Sequence, residues 1–410
     1  MSTDGFLARY PDWEKQQTDR GVDVEWVKAH LKELAIETPS WGYGDSGTRF
    51  KVFQQEGVPR SPFEKIEDAA MVHKVTGAAP SVALHIPWDL VDDFSALKKH
   101  AEDHGIKLGA INPNLFQEDD YKLGSLCHAD PKVRKKAVRH MLDCVAIAQE
   151  VGSNIVSLWL ADGTNYPGQG DFRRRKQWLI EGLQEVIAAM PGDMRLLIEY
   201  KFFEPAWYHT DIPDWGMALL LAMKLGPKAE VLVDTGHHPQ GTNIEHITAN
   251  LLDEGKLGGF HFNDRKYADD DVIVGTMAPY QLFLIMKEMV AGLLDPATRP
   301  TAERVAYMID QSHNIEPKIP AMIRSIMNVQ RYYAKALLVD FDALRRAQDA
   351  GDVLGAEAIL QDAFETDVRP LLAQVRAELG LHPDPLTAYA ESGYAEKIQA
   401  RGKGGQSWSS

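Results

Sequence analysis

Polar side chains follow an apolar run in the segment VLVDTGHHPQGTN, residues 231–243. The three residues before Asp234 are typical of a buried strand, and Gly236 favours a turn. Burying a carboxylate or an imidazole without a partner is costly, so Asp234, His237 and His238 need an explanation. The segment therefore indicates a metal site, a catalytic site or a buried hydrogen-bond network.

Polar groups of the same kind end the neighbouring apolar runs of the chain. Glu199 and Lys201 follow RLLI, His261 lies in GFHFND, and Asp310 ends VAYMI. A short acidic stretch, YADDD, comes soon after His261. The candidate set thus consists of Glu199, Lys201, Asp234, His237, His261, Asp269, Asp271 and Asp310. Each residue type is common by itself, but their recurrence at successive strand ends favours one shared site.

The five carboxylates and two imidazoles of this set favour divalent metal ions. Carboxylates brought together without a cation repel and raise one another's pKa. Two divalent ions would offset that repulsion, and oxygen-rich ligands without a thiolate suit Mn²⁺, Mg²⁺ or Co²⁺. Lys201 comes two residues after Glu199, hence on the same face of the strand, where it could polarise a substrate oxygen.

Eight short apolar runs, bounded by turn residues and separated by amphipathic segments, predict strands of a parallel sheet. The runs cover residues 34–41, 81–88, 107–114, 154–163, 195–201, 230–236, 258–264 and 304–310. Alternation with helices predicts an α/β fold, the (β/α)8 TIM barrel, although a doubly wound open sheet fits the same pattern less economically. In a barrel the carboxyl ends of the strands share one rim, where the candidate residues would converge.

The segments between the runs are predicted to be helical. Residues 130–152 carry apolar side chains at spacings of three and four and end on Gly152, which is typical of a glycine cap. We expect an N-terminal helical segment (1–33), the barrel with its metal site (34–334), a C-terminal helical extension (335–380) and a tail (381–410). The extension would contact a neighbouring subunit; extra helices covering the same barrel are the alternative.

Composition and charge argue against several classes of function. The formal net charge of −15 argues against a nucleic-acid partner, because a phosphate backbone favours a basic face. The two cysteines, Cys127 and Cys144, are too few for a disulfide framework or a thiolate zinc site. The N-terminus lacks the apolar core of a signal peptide, and no stretch reaches the ~20 apolar residues of a membrane span. The sequence thus predicts a cytoplasmic protein with no membrane or nucleic-acid partner.

The candidate residues follow one another along the chain in an order that resembles the two-metal site of the xylose isomerase-like barrels. That order is Glu199-x-Lys201, Asp234-x-x-His237, His261, Asp269-x-Asp271 and Asp310. The longer strings IEYKFFEPAWYHTD, DTGHHPQGTNIE, GFHFNDRKYADDD and IDQSHNIEPK are similar to the L-rhamnose isomerase family of the broad-specificity bacterial kind. The resemblance covers most of residues 30–380. Asp234 stands where xylose isomerases have a glutamate and His261 where they have an aspartate, and both departures favour the rhamnose isomerase branch.

The resemblance implies two metal ions in each chain. A structural metal would be held by Glu199, Asp234, His261 and Asp310, and a catalytic metal by His237, Asp269 and Asp271, with Asp234 bridging the two. Mn²⁺ is the first choice, with Co²⁺ and Mg²⁺ as alternatives.

The resemblance also implies roles around a sugar substrate. Lys201 would hydrogen-bond the substrate oxygen at carbon 1 or 2. His85 would handle the ring oxygen during ring opening, with Asp89 orienting its other ring nitrogen. The side chains implied to face the sugar carbons are Trp41, Trp159 and, reaching into a neighbouring subunit's site, Phe50. We therefore expect a homotetramer.

The resemblance, together with the site residues, implies a metal-dependent aldose–ketose isomerase that converts L-rhamnose to L-rhamnulose and acts on other aldoses such as D-allose. We expect ring opening and a direct 1,2-hydride shift, because metal-bound carboxylates are poor proton acceptors and Lys201, at an ordinary pKa of ~10.4, is protonated. An ene-diol route is the alternative.

Other functions fit the sequence less well. A ketose 3-epimerase on the same barrel would need one metal and two carboxylates free to act as bases, and another aldose isomerase, such as a xylose isomerase, is a further alternative. An endonuclease would need a basic approach surface. A non-catalytic sugar-binding protein would have no use for Lys201 beside two metals.

Overall fold

The computed structural model describes residues 4–48, 51–311 and 315–404, and its centre is a closed barrel of eight parallel strands. The strands follow one another around the barrel in chain order, and the last pairs with the first. They are β1 (Ile36–Pro39), β2 (Ser81–Ile86), β3 (Lys107–Pro113), β4 (Ile155–Leu158), β5 (Arg195–Glu199), β6 (Ala229–Asp234), β7 (Leu257–Phe262) and β8 (Ala306–Ile309). Each predicted apolar run overlaps one strand, and the predicted barrel is confirmed.

The strands are apolar on both faces because helices cover the outside of the barrel and side chains fill its interior. A buried apolar cluster inside the barrel consists of Trp41, Ala83, Ala110, Leu197, Leu232 and Met308. A larger apolar core lies between the strands and the surrounding helices. The interior is therefore packed, and it supports the polar residues at the strand ends from below.

Helices connect the strands on the outside of the barrel. They are Pro62–Thr76, Phe94–Asp103, Pro131–Val151, Phe172–Ala189, Trp215–Leu225, Ile244–Asp253, Pro279–Leu294 and Lys318–Leu337, with a short helix at Arg299–Ala302. Gly152 caps the third of these helices in a left-handed conformation with φ 82°, as predicted. Helix Lys318–Leu337 packs against Pro279–Leu294 and Pro62–Thr76, so it completes the outer layer.

Shorter elements lie in the loops that follow the carboxyl ends of the strands. Two 3₁₀ turns cover Ser40–Tyr43 and Asp119–Tyr121. Ser46–Thr48 pairs antiparallel with Lys51–Phe53, and Gly163–Thr164 pairs with His209–Thr210. In the part of the chain that the structure describes, no helix is both long and apolar enough to cross a membrane.

The helical extension packs on helices at the other end of the same chain. Helices Asp4–Asp19 and Val24–Glu33 precede the barrel, and Phe341–Asp349, Val353–Glu365 and Arg369–Glu378 follow it. Lys28 donates a hydrogen bond to Glu378 at 2.8 Å, and Lys32 lies 2.6 Å from the other oxygen of Glu378. The extension therefore covers its own chain, which is the alternative given by the sequence; contact with a neighbouring subunit stays a prediction.

Residues 381–404 are not an extended tail. They contain helices Pro385–Glu391 and Tyr394–Gln399, and Arg401 binds both oxygens of the buried Asp68 at 2.9 Å. Tyr394 donates to the same carboxylate at 2.8 Å. The expectation of a tail from residue 381 is wrong over this range, because a partner 333 residues away in the chain anchors it.

Candidate active site

The candidate residues meet in one cavity at the carboxyl ends of the strands. The cavity has a volume of about 1060 Å³, more than a monosaccharide needs. Its lining includes ten of the thirteen residues that the sequence predicted, namely Trp41, His85, Trp159, Glu199, Lys201, His237, His261, Asp269, Asp271 and Asp310. Asp234 lies buried among them, whereas Phe50 is outside the described residues. Convergence on one rim follows from the barrel closure, as the sequence predicted.

Four of these side chains form a first cluster between β5 and β8. Each of Glu199, Asp234, His261 and Asp310 offers a ligand atom that lies within 4.8 Å of the others. His261 Nδ1 is 3.2 Å from Glu199 Oε2 and 3.4 Å from Asp310 Oδ2. The four residues end four successive strands, which is why they come together.

A second cluster shares Asp234 with the first. Asp234, His237 and Asp269 again offer ligand atoms within 4.8 Å of one another. His237 Nε2 lies 3.3 Å from Asp269 Oδ2, and its Nδ1 donates to the carbonyl oxygen of Tyr200 at 3.0 Å. This backbone contact fixes the ring, so that Nε2 faces the carboxylates. Lys201 Nζ binds Asp269 Oδ2 at 2.6 Å.

The pKa values of the second cluster show how crowded the charges are. Burial, together with Asp269 and Glu199, raises the pKa of Asp234 to about 7. Burial opposes the charge of His237, yet Asp234 and Asp269 raise its pKa to about 9. Burial likewise opposes ionisation of Asp269, but His237 and Lys201 hold its pKa below the ordinary value. Protonated imidazoles therefore balance part of the carboxylate charge, and a bound cation can replace those protons.

The clusters fit divalent metal ions. His261 Nδ1 and Asp269 Oδ1 are buried, and neither has a hydrogen-bond partner of suitable geometry among the described residues. Such atoms are rare in folded proteins unless water or an ion satisfies them. Carboxylate oxygens and imidazole nitrogens are the donors that Mn²⁺, Co²⁺ and Mg²⁺ accept.

Asn263 is a site residue that the sequence analysis missed. Its side-chain nitrogen lies 3.0 Å from each oxygen of Asp234 and 3.4 Å from Asp271 Oδ1. Alternation along β7 could have revealed it, because Asn263 follows His261 by two residues and points to the same side. Asp271 lines the cavity but belongs to neither cluster, and burial beside Asp269 raises its pKa well above the ordinary value.

Aromatic rings form the opposite wall of the cavity. The His85 ring stacks on Trp88 with centroids 3.7 Å apart and meets the edge of Trp41 at 5.5 Å. Phe116 contacts Trp159 at 4.8 Å, and Lys201 Nζ lies 5.3 Å from the Trp159 ring. Trp88 and Phe116 were not predicted from the sequence, since single aromatic residues in loops carry no distinguishing pattern.

Trp41 is more than an apolar wall. Its ring nitrogen donates to Asp310 Oδ1 at 2.8 Å and so fixes one carboxylate of the first cluster.

Burial lowers the pKa of His85 to about 3, so that this ring is neutral near pH 7.

Asp89 does not hold the ring of His85. Its carboxylate accepts a hydrogen bond from the backbone N–H of His85 at 2.8 Å, and it also binds Lys65 Nζ at 2.6 Å and Ser40 Oγ. His85 Nδ1 has no hydrogen-bond partner among the described residues. The role implied for Asp89 at the ring is therefore wrong, because the buried ammonium of Lys65 draws the carboxylate; Asp89 fixes the backbone of His85 instead.

Glu204 is a carboxylate of the cavity that lies outside both clusters. Its Oε2 is 3.9 Å from Lys201 Nζ, and its backbone is left-handed with φ 61°. A non-glycine residue in that region is uncommon and strained, which marks the loop after β5 as specialised.

Known proteins resemble this chain over nearly its whole length. A family model described as the xylose isomerase-like TIM barrel matches residues 77–284. A probable sugar isomerase of Rhizobium meliloti (strain 1021) is 45% identical over 97% of this chain and 93% of that protein. A probable sugar isomerase of Mesorhizobium japonicum (strain LMG 29417 / CECT 9101 / MAFF 303099) is 42% identical over 96% of this chain and 93% of that protein. The structure of an L-ribulose 3-epimerase, 13% identical, shares the fold with a TM-score of 0.53 over 78% of this chain and 98% of that chain.

Proposed function

Because the chain belongs to the xylose isomerase-like TIM barrel family, we propose that it is a metal-dependent aldose–ketose isomerase. Its reaction would convert L-rhamnose to L-rhamnulose, with activity on other aldoses such as D-allose. The observation that carries the proposal is the pair of clusters sharing Asp234, with Lys201 beside them, in a cavity large enough for a sugar. The choice of L-rhamnose rests on the strings around the site, such as DTGHHPQGTNIE.

Two divalent ions fit this site, with Mn²⁺ as the first choice. The residues that would hold one ion are Glu199, Asp234, His261 and Asp310, and those that would hold the other are Asp234, His237 and Asp269. Asp271, which lines the cavity outside both clusters, would join this second set when an ion binds. When bound, the ions would supply positive charge against the negative charge that develops on the sugar oxygens. Asn263 would keep the shared carboxylate of Asp234 in place through its two 3.0 Å contacts.

Lys201 would donate a hydrogen bond to the sugar oxygen at carbon 1 or 2. Burial alone would lower the pKa of Lys201, but Asp269 raises it above the ordinary value, so the ammonium is charged near pH 7. A charged, preorganised donor in a buried site stabilises developing negative charge more strongly than the same donor in water. The Trp159 ring, whose centroid lies 5.3 Å from Lys201 Nζ, would help to hold this ammonium beside the substrate.

The hydrogen would move as a hydride from carbon 2 to carbon 1. This step breaks the C2–H bond and forms a C1–H bond, while the proton on the oxygen at carbon 2 passes to the oxygen at carbon 1. Lys201 is positioned to stabilise the oxygen charge but, being protonated, cannot remove a carbon-bound proton.

Ring opening must come before the hydride shift. His85 is neutral and lies in the cavity wall, so its ring could exchange a hydrogen bond with the sugar's ring oxygen. Asp89 and Lys65 would act as positioning residues, because they hold the backbone of His85 and not its ring.

A ketose 3-epimerase is the second candidate, and Glu204 is the observation that favours it. Proton-transfer chemistry needs a carboxylate that is free of metal, and Glu204 lies in the cavity outside both clusters. The ene-diol route to isomerisation would use the same group.

We also propose that the enzyme acts in the cytoplasm as a homotetramer. The buried, unpaired Cys127 and Cys144 are consistent with a reducing compartment. Several large aromatic side chains in the loops after β4 and β5 are exposed, which is consistent with cover by a second subunit: Tyr166, Phe202, Trp207 and Tyr208.

The substrate is tested by a panel of aldoses in the presence of Mn²⁺, with ketose formation as the measurement. We expect the highest kcat/KM for L-rhamnose, measurable turnover of D-allose and lower turnover of D-xylose. Epimerisation of ketoses at carbon 3 without conversion of any aldose would overturn the isomerase proposal in favour of the second candidate.

The route of the hydrogen is tested in deuterated water. Near-absence of deuterium at carbon 1 of the ketose, in the wild type and in Glu204→Gln, supports the hydride shift. Roughly stoichiometric incorporation that Glu204→Gln abolishes together with activity would assign the base to Glu204 and reject the hydride shift.

A further inference from the structure

A group of three potential ligands lies on the helical layer, away from the cavity. Glu67 is in helix Pro62–Thr76, and His100 and His104 are at the end of the neighbouring helix Phe94–Asp103. Each offers one ligand atom, and the three atoms lie within 4.8 Å of one another. Because this second helix leads into the start of β3, the group lies toward the amino ends of the strands, opposite the cavity.

The two imidazoles are arranged as a pair of metal ligands. His100 and His104 are four residues apart, so they lie on one helix face, and their ring centroids are 4.3 Å apart. His104 Nδ1 hydrogen-bonds the carbonyl oxygen of His100 at 2.8 Å, which leaves its Nε2 as the ligand atom.

The buried nitrogen of His100 points to a ligand. His100 Nε2 has no hydrogen-bond partner among the described residues, although it is shielded from solvent. Glu67 Oε1 lies 4.0 Å from it, too far for a hydrogen bond. An ion between these two atoms would satisfy both. Ligand atoms around one tetrahedral zinc ion are about 3.4 Å apart, given bonds of about 2.1 Å, so His100 Nε2 and Glu67 Oε1, now 4.0 Å apart, would have to approach each other by about 0.6 Å.

Glu67 can bind an ion without losing its other contacts. Its Oε1 faces His100, whereas its Oε2 lies 3.7 Å from Lys397 and 3.8 Å from Arg401 of the C-terminal segment. The carboxylate therefore offers one oxygen to a metal and keeps the other for the two cations.

We propose that Glu67, His100 and His104 form a third divalent-metal site, independent of the proposed catalytic function. Two imidazoles and one carboxylate favour Zn²⁺, Ni²⁺ or Co²⁺ over Mn²⁺ or Mg²⁺, which prefer oxygen ligands. A bound ion would tie together two helices of the barrel and, through Glu67, the C-terminal segment.

The test counts bound ions on metal-free, full-length protein without a histidine tag. After loading and desalting, we expect the wild type to retain one more Co²⁺ than Mn²⁺ per chain. His100→Asn and His104→Asn should each lose that extra Co²⁺, with affinity at this site reduced by at least about tenfold. His246→Asn, a change at an exposed histidine in helix Ile244–Asp253, should retain it.

The measured quantity is the difference in bound Co²⁺ between the wild type and His100→Asn, which should be one ion per chain. This difference does not depend on how many ions bind in the cavity. Ni²⁺ should also raise the Tm of the wild type and of His246→Asn more than that of His100→Asn, once circular dichroism shows that all three are folded. Equal Co²⁺ content in the wild type and His100→Asn would overturn the proposal.

Discussion

Two buried groups of acidic side chains in this protein balance their charge in different ways. In the loops after β4 and β5, Asp211 receives three guanidinium contacts from Arg175, at 2.7 to 3.1 Å. The neighbouring Asp162 accepts hydrogen bonds from the backbone N–H of Ser125 and of Cys127, at 2.6 and 2.8 Å. The chain itself therefore satisfies this group, which we call the arginine cluster.

The two clusters of the cavity lack such a partner. Their carboxylates face two imidazoles and one ammonium, and a buried imidazole nitrogen and a carboxylate oxygen are left without hydrogen bonds among the described residues. Proximity of acids thus does not by itself identify a metal site. What distinguishes the cavity is that the fold leaves the buried carboxylates short of positive charge from its own side chains.

The largest effect should come from removing divalent ions. A chelated preparation should form no measurable ketose and should recover with Mn²⁺ or Co²⁺, because the bound ions would supply the positive charge that stabilises the sugar oxygens. Mn²⁺ should bind at two ions per chain, as measured by elemental analysis. One bound Mn²⁺ with full activity would remove the two-metal site and favour the epimerase.

Breaking the arginine cluster should affect stability more than chemistry. Arg175→Met leaves the buried Asp211 without a partner and should lower the free energy of unfolding by about 3–5 kcal/mol. Urea denaturation measures the loss, and Arg173→Met, an exposed change in the same helix, is the control. Added Mn²⁺ should not restore the variant. Rescue by Mn²⁺ would mean that this cluster also accepts a metal.

Lys201→Met removes the ammonium that contacts Asp269 in the second cluster. Turnover should fall by about a hundredfold or more, the effect of losing one preorganised donor, while both Mn²⁺ ions remain bound. Steady-state kinetics and metal analysis on the same sample separate the two effects. Near-normal turnover would show that Lys201 has no role in the reaction.

Asp68 is buried like the carboxylates of the cavity but has a cation, Arg401, as its partner. It therefore gives a test in which stability depends on pH. Burial outweighs its bonds from Arg401 and Tyr394, so that its pKa is raised from 3.8 to about 6 in the folded protein. The folded state then binds more protons than the unfolded state between these values, and the free energy of unfolding falls as pH rises from about 4 to about 6.

Arg401→Met should lower the free energy of unfolding by about 1.5 kcal/mol at pH 7, because it leaves the Asp68 carboxylate without its cation. The difference from the wild type should shrink below pH 6, where Asp68 is protonated and needs no cation. Urea denaturation at pH 5 and pH 7 measures it. A difference that does not change with pH would mean that Arg401 stabilises the segment through packing alone.

The barrel and the positions of the site were predictable from the sequence because both depend on local patterns. Apolar runs bounded by turn residues predicted the eight strands, and parallel strands that close into a barrel must bring their carboxyl ends together. The side chains of Glu199, Asp234, His261 and Asp310 therefore had to meet once the strands were identified.

Only the tertiary structure decided which atoms contact one another at the site. Asp89 binds Lys65 and the backbone of His85, although the resemblance to the L-rhamnose isomerase family implied a contact with the ring. Asn263 holds Asp234, and Asp271 stays outside both clusters. These outcomes depend on competition among several donors for one carboxylate, which strand periodicity does not describe.

The C-terminal region shows most clearly what the sequence determined and what only the tertiary structure decided. The sequence by itself determined that helices follow β8, because their apolar spacing is local. It did not determine that residues 385–399 also fold into helices against the barrel, since the anchoring bond joins Arg401 to Asp68 across 333 residues. Contacts between distant segments form only when the whole chain has closed, because each depends on the positions of all the elements between them.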